Sequence, residues 1–311
     1  TIIAPSFVPK GGFWDPSRAF EMGGKWHVAV GSGSAAGAQV LLLEATNASL
    51  TSFSKATALY GSGRSFVSNS SISRFECPDV YQVGAKHIVM TSGEGGSQWM
   101  VGTVQAPGGV PTFVPETGGF VDQGDDFYAA RTGAPAQLTP TSRRLLFGFN
   151  GWTGGSIGRA CGRYQIIPRE LKLKDGFLHI APIAELAGLR KDAATTTHIG
   201  PAERVLLRGG SHHIELQLNC TLPQISPAAS SLLNISLDVL ATPDSAQFVR
   251  YGYNTVRQFF IESRGMATTS SSPQKPYAKS PSWISVVVLV DGGMVESFTD
   301  SSVDMSTHSP K

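Results

Sequence analysis

Apolar and polar positions in the first 180 residues alternate in short runs. Residues 25–32 (KWHVAVGS) alternate between glycine-bearing flanks, and residues 39–46, 87–92, 99–104, 127–132 and 144–150 repeat the habit. The gaps are short and carry Gly, Pro, Ser or Asn, the residues that turns need. No helical period of useful length interrupts them. Such a chain predicts a sandwich, a barrel or a propeller of short strands. The period changes at residues 182–192 (PIAELAGLRKD): Ile183, Leu186 and Leu189 recur at helical spacing, with Arg190 and Lys191 in the last turn, where cations suit the helix dipole. This predicts one domain over residues 1–181, a linker with a short helix over 182–200, and a second domain over 201–311. In the second domain, strands are predicted at 211–219, 236–241, 247–253, 258–263 and 283–290, the last turning at Gly292-Gly293 into a hairpin with 294–298. That spacing fits a β-sandwich. The Ser/Thr/Pro-rich residues 267–282 read as a surface loop.

Composition sharpens this picture. The 35 Gly and 19 Pro among short apolar runs favour a mostly β chain, because long helices tolerate neither residue. Charged residues are only 15 % and the net charge is +2, with no basic run, which argues against nucleic-acid or membrane-surface partners. The longest apolar run, about residues 286–290, falls far short of the ~18 that cross a bilayer. Cys77, Cys161 and Cys220 form no even framework, so at least one thiol stays free. Four of the six asparagines open an N-x-Ser/Thr sequon (Asn47, Asn69, Asn219 and Asn234), and this excess predicts a secreted glycoprotein. The chain starts at Thr1, so a mature product or a fragment is expected.

The candidate chemistry lies in three acidic clusters: Phe13-Trp14-Asp15-Pro16, Phe75-Glu76-Cys77-Pro78-Asp79, and residues 120–128 with Asp122, Asp125, Asp126 and Tyr128. Each sets carboxylates beside aromatics or proline. Partial desolvation there suits proton donation, whereas the bland reading makes the same residues turns. Other motifs carry less. Residues 154–158 match G-x-S-x-G, but no helix follows, so they read as a loop. Residues 31–37 miss G-x-G-x-x-G by one place and also read as a loop. The seven histidines show no metal-ligand spacing, and no cofactor is expected. Trp26 reads as core; Trp99 and Trp152 read as buried strand aromatics or as sugar-stacking faces. Cys77, beside a carboxylate, reads as an inert thiol.

In order, Trp14-Asp15-Pro16, Phe75-Glu76-Cys77-Pro78-Asp79, the run from Asp122 to Ala129, and Ile167-Pro168-Arg169-Glu170-Leu171 resemble glycoside hydrolase family 32, which holds invertases, levanases and other β-fructofuranosidases. Residues 183–190 resemble its interdomain segment, and residues 290–298 the last hairpin of its C-terminal sandwich. The resemblance implies an all-β fold, a five-bladed β-propeller followed by a β-sandwich, here incomplete with about three to four blades. It implies a retaining glycosidase acting on sucrose or a fructan, with Glu76 as acid/base and Asp15 as transition-state stabiliser. Asp122, with Trp14, Asp79 and Tyr128, would bind the sugar. Three positions depart from the family: Trp14 stands for Arg, Asp125 for Lys and Cys161 for Trp. The family's W-M-N-D-P-N-G-like nucleophile motif does not occur, so the chain as given is expected not to hydrolyse sucrose. A non-catalytic carbohydrate-binding relative and an extracellular adhesive β protein are the competing readings.

Overall fold

The computed structural model describes residues 12–54, 56–94, 96–122, 127–133, 143–150, 164–191, 195–200, 203, 205, 213–222, 234–254, 258–264, 282–292 and 294–301. Three antiparallel sheets come first. One holds β1 (Phe20–Met22), β2 (Lys25–Ser34), β3 (Gly37–Glu44) and β4 (Thr57–Ser62), side by side in chain order. The second repeats the plan with β5 (Glu76–Val83), β6 (Lys86–Gly93), β7 (Gly96–Gln105) and β8 (Thr112–Phe120). In the third, β9 (Phe127–Gly133) lies on one side of β10 (Arg144–Asn150). On the other side run β11 (Tyr164–Gln165) and β12 (Arg169–Lys174), and β13 (Phe177–Pro182) closes the sheet.

The second sheet is packed on both faces. Val80, Val89 and Met100 join Val40, Leu42 and Leu59 of the first sheet in one core. Ile88, Met90 and Val101 join Phe127, Leu146 and Leu178 of the third sheet in another. Neighbouring residues of β6 and β7 therefore serve opposite cores, because successive strand side chains point to opposite faces. Both strands are apolar through their middles for this reason. Each fully buried aliphatic side chain contributes about 1.5–3 kcal/mol. The three sheets stack like consecutive blades, and among the described residues no strand pairing joins the first to the third.

After β13, residues Ala184–Leu189 form a 3-10 helix with i→i+3 bonds from Leu186 N–H to Ile183 O and from Arg190 N–H to Ala187 O. A 3-10 helix stacks residues three apart, so the 183/186/189 spacing fits it as well as an α-helix. The remaining strands are β14 (His213–Thr221), β15 (Asn234–Val239), β16 (Phe248–Asn254), β17 (Gln258–Arg264), β18 (Trp283–Asp291) and β19 (Met294–Ser301). They make two sheets, β14-β18-β19 and β15-β16-β17. Ile284, Val286, Val288 and Val290 of β18 meet Val239, Tyr251 and Tyr253 of the other sheet in a shared core, the arrangement of a β-sandwich.

Some expectations change. Residues 31–34 are strand, not loop: β2 continues through them. Glycine is needed there because blade two passes against them. A Cβ at Gly31 would lie 2.2 Å from the Phe75 carbonyl oxygen, and one at Gly33 would lie 2.3 Å from that of Ser73. Trp26 is 44 % exposed, while its neighbour His27 is buried; the alternation of β2 turns the ring outward and the imidazole inward. Trp99 is buried. Trp152, residues 154–158, Asp125 and Cys161 lie outside the described residues, as does nearly all of 267–282.

Candidate active site

The first segment of each blade-like sheet, in chain order, carries one non-glycine residue with positive φ. In the first, residues 14–22 run along β2, with Trp14 and Gly31 exchanging both backbone bonds at 2.9 Å. Asp15 follows with φ +48°, in the left-handed region that a non-glycine residue enters only occasionally. In β5, Cys77 has φ +48° and the pairing with β6 slips between Glu76 and Asp79. In β9, Ala129 has φ +56° and the pairing with β10 slips opposite it. The two slips are β-bulges, which re-aim the side chains on either side of them. Beside them the Tyr128 hydroxyl reaches Glu76 and the Cys77 backbone N–H reaches Asp15.

Trp14, Asp15, Glu76 and Tyr128 are linked here through Cys77 and Arg74. Oδ2 of Asp15 accepts from the Cys77 backbone N–H at 3.2 Å and from the Cys77 thiol at 3.4 Å. The Asp15 carboxylate thus touches the residue next to Glu76. Glu76 is 14 % exposed at its side chain. Its Oε1 accepts from Arg74 Nε at 2.6 Å and its Oε2 from the Tyr128 hydroxyl at 2.8 Å. Arg74 also lies over the Trp14 ring, 5.7 Å from its centroid, a cation–π contact. Burial, and after it the hydrogen bond to Glu76, pushes the Tyr128 phenol up, so it stays a donor. Burial first, and the Asp15 charge second, push the Cys77 thiol up to about 12. A thiol so shifted is a poor nucleophile.

Asp79 and Asp122 belong to other networks. Asp79 is buried, and its Oδ2 accepts from both the Thr132 backbone N–H (2.7 Å) and the Thr132 hydroxyl (2.6 Å), tying β5 to β9. Asp122 Oδ2 pairs with Arg169 Nη2 at 2.6 Å, and the same nitrogen pairs with Glu296 of β19 at 2.8 Å. Both carboxylates are structural ties at these contacts. Two residues of the cluster were not singled out from the sequence. Arg74 carried a signal: two positions from Glu76 on an extended chain, it shares that residue's face. Arg131 carried none. Its Nη1 donates to Pro78 O at 2.8 Å and its Nη2 to Asp15 O at 2.6 Å, across sequence gaps that no local pattern bridges. Among the described residues no group of three His, Cys, Asp or Glu could hold a metal ion.

Comparison with known proteins gives this geometry a context. The sequence profile of the glycosyl hydrolases family 32 N-terminal domain matches residues 2–182. No curated protein matches the chain in sequence. Among solved structures, the chain is similar to sucrose-6-phosphate hydrolase from Lactobacillus gasseri, at 16 % identity and TM-score 0.71, covering 97 % of this chain and 61 % of that one. It is similar to Aspergillus kawachii beta-fructofuranosidase, at 15 % identity and TM-score 0.74, covering 95 % and 66 %. It is also similar to fructan 1-exohydrolase IIa from Cichorium intybus, at 18 % identity and TM-score 0.67, covering 95 % and 65 %. At these identities the likeness speaks for the fold: an incomplete β-propeller followed by a β-sandwich. The chain spans between three-fifths and two-thirds of each of these structures.

Proposed function

Because the chain belongs to glycosyl hydrolase family 32, we propose that its site receives the terminal fructosyl unit of a β-fructoside such as sucrose, with Glu76 and Asp15 as the acting carboxyl groups. The observation that carries this reading is the bond from Cys77 N–H to Asp15 Oδ2, which brings two acids sixty-one positions apart to adjoining places. Glu76 is the acid/base. It protonates the glycosidic oxygen while Arg74 and Tyr128 hold its two oxygens in place. Asp15, exposed to solvent, takes the fructosyl hydroxyls as oxocarbenium character develops. Its carboxylate is already oriented by Cys77, so little reorganisation is needed when charge builds.

A retaining mechanism needs a further carboxylate as nucleophile. Among the described residues none joins the pair: Asp79 binds Thr132, Asp122 binds Arg169, and Glu94 accepts from the Ser73 hydroxyl and backbone N–H. With no third acid beside the pair among the described residues, the expectation is that the chain as given binds the sugar without cleaving it. The same observation favours the second reading, a carbohydrate-binding relative with no catalytic role. Calorimetric titration with fructose and sucrose, run beside a fructose-release assay, tests both. Binding without release is the expected result. Release abolished by Glu76→Gln would overturn the non-cleaving assignment, and no binding at all would remove the site.

We also propose that the protein is secreted and N-glycosylated. Asn47, Asn69, Asn219 and Asn234 are all exposed, as acceptors must be. Secretion from a eukaryotic host followed by peptide-N-glycosidase should lower the apparent mass. An unchanged mass would dispose of the proposal.

A further inference from the structure

We propose that Arg131 is the positioning residue of this site, holding the Asp15 and Glu76 segments, which belong to different sheets, at one fixed separation. The proposal rests on the fructoside reading only for what the site binds. Its own basis is the bonding of the guanidinium. Nη2 donates to the carbonyl of Asp15 at 2.6 Å and Nη1 to the carbonyl of Pro78, two residues beyond Glu76, at 2.8 Å. Arg131 itself stands in β9, three positions after the Tyr128 whose hydroxyl reaches Glu76. One side chain thus links the first segments of all three sheets.

Those segments need such a tie. Asp15, Cys77 and Ala129 all have positive φ, and each such residue costs on the order of 1–3 kcal/mol and persists only where the surroundings over-determine it. Arg131 bonds the carbonyl of the first and the carbonyl that follows the second. The only other direct bonds found between these two segments are those of Cys77 to Asp15 Oδ2 among the described residues. A planar guanidinium can serve two carbonyls at once from a fixed fork; an ammonium is a single point and cannot hold the same two acceptors in one plane. No carboxylate pairs with Arg131 among the described residues, and its charge acts on Cys77.

The test uses the full chain carrying Cys161→Ser and Cys220→Ser, so that Cys77 is the sole thiol. Arg131→Lys keeps the charge and loses the fork; Arg131→Gln is the second variant. Near-ultraviolet circular dichroism reports the fold, calorimetry the fructose affinity, and iodoacetamide the thiolate fraction of Cys77. The groups facing that thiol are Asp15, Glu76, Arg131 and Tyr128. If Arg131 positions Asp15, Arg131→Lys, which keeps the charge, lets the carboxylate drift from Cys77, the thiol pKa falls, and alkylation speeds up by roughly threefold for each unit of fall, the larger thiolate fraction outweighing its weaker nucleophilicity. Arg131→Gln also removes a cation that lowers the thiol pKa, so its rate lies below that of Arg131→Lys. Fructose affinity falls by about tenfold as well. If Arg131 acted only through its charge, Arg131→Lys would leave the alkylation rate unchanged and Arg131→Gln would slow it. An unchanged rate in Arg131→Lys overturns the proposal, and so does loss of the fold in both variants, which would make Arg131 a fold determinant alone. A parent chain that fails to bind fructose sinks the fructoside reading, while the alkylation rates still decide the role of Arg131.

Discussion

Glu76 has a donor on each oxygen, and the two donors are unequal. Arg74 is charged and half in solvent, whereas the Tyr128 phenol sits deeper and is held neutral. Tyr128→Phe leaves Oε2 without that donor. A buried acceptor left without its donor costs about 1–3 kcal/mol, so urea unfolding should show a loss of that order. The neighbouring thiol offers a cleaner reading of sign. Asp15 raises the Cys77 pKa, but burial raises it more. Asp15→Asn should therefore speed alkylation of Cys77 yet leave it slower than a free thiol; a rate equal to the parent's would mean that the two side chains do not meet. Acids set among aromatics were legible in the sequence as candidates. Which of them share a site was not: Asp15, Asp79 and Asp122 look alike on paper, and only the folded chain gives them Cys77, Thr132 and Arg169 as partners. Arg131 was hidden further, because its acceptors are backbone carbonyls that leave no trace in residue type.

Strands with regular alternation, such as β2, β6, β7, β10 and β18, could be placed from pattern to within a few residues. Two of the strands that escaped have a reason to break the pattern. β5 carries Pro78 inside its bulge, and β8, at an edge, carries Pro115 where its pairing with β7 slips. Proline survives in sheets at such places because its missing N–H is not needed there. The glycines of β2 misled in the other direction, looking like a loop while serving as clearance between blades. Gly31→Ala is the sharp test. Its new methyl would meet the backbone at Phe75, which cannot swing aside, and the strain falls one residue from Glu76. A loss of about 1–3 kcal/mol or more is expected, with weakened fructose binding. Gly188→Ala, in the linker, has nothing within 4 Å and no positive φ, and should be neutral or slightly stabilising in the same melt.

At the scale of the whole molecule, two charged ties fasten the third blade to its C-terminal neighbours, one to the sandwich and one to the linker. The inner tie is Arg169, almost fully buried, held by Asp122 and Glu296 and lying 5.2 Å and 5.1 Å from the Phe127 and Phe298 ring centroids. Glu296 also accepts the Ile167 backbone N–H at 2.7 Å, so it bolts the sandwich to the blade twice. Glu296→Gln leaves a buried guanidinium half-paired, a change that costs about 3–5 kcal/mol, and calorimetry should then resolve two transitions where the parent shows one. The outer tie is Glu185 of the linker on Arg143 beside β10. It lies at the surface, and its hydrogen bonds to Arg143 hold the Glu185 carboxyl at about 2, below its usual 4.5. A depressed carboxylate pKa stabilises the fold above the unfolded value and stops doing so as pH falls through the folded one. The contribution of Glu185 should thus be whole at neutral pH and fade between about 4.5 and 2. Exposure and salt keep it small, so the measurement is a difference. The melting temperature of the parent minus that of Glu185→Gln should shrink steadily as the buffer is acidified through that window. It should also shrink in high salt at neutral pH, where screening weakens exposed pairs and leaves Arg169 untouched. A gap that widened on acidification would mean that Glu185 is not the group held by Arg143 in solution.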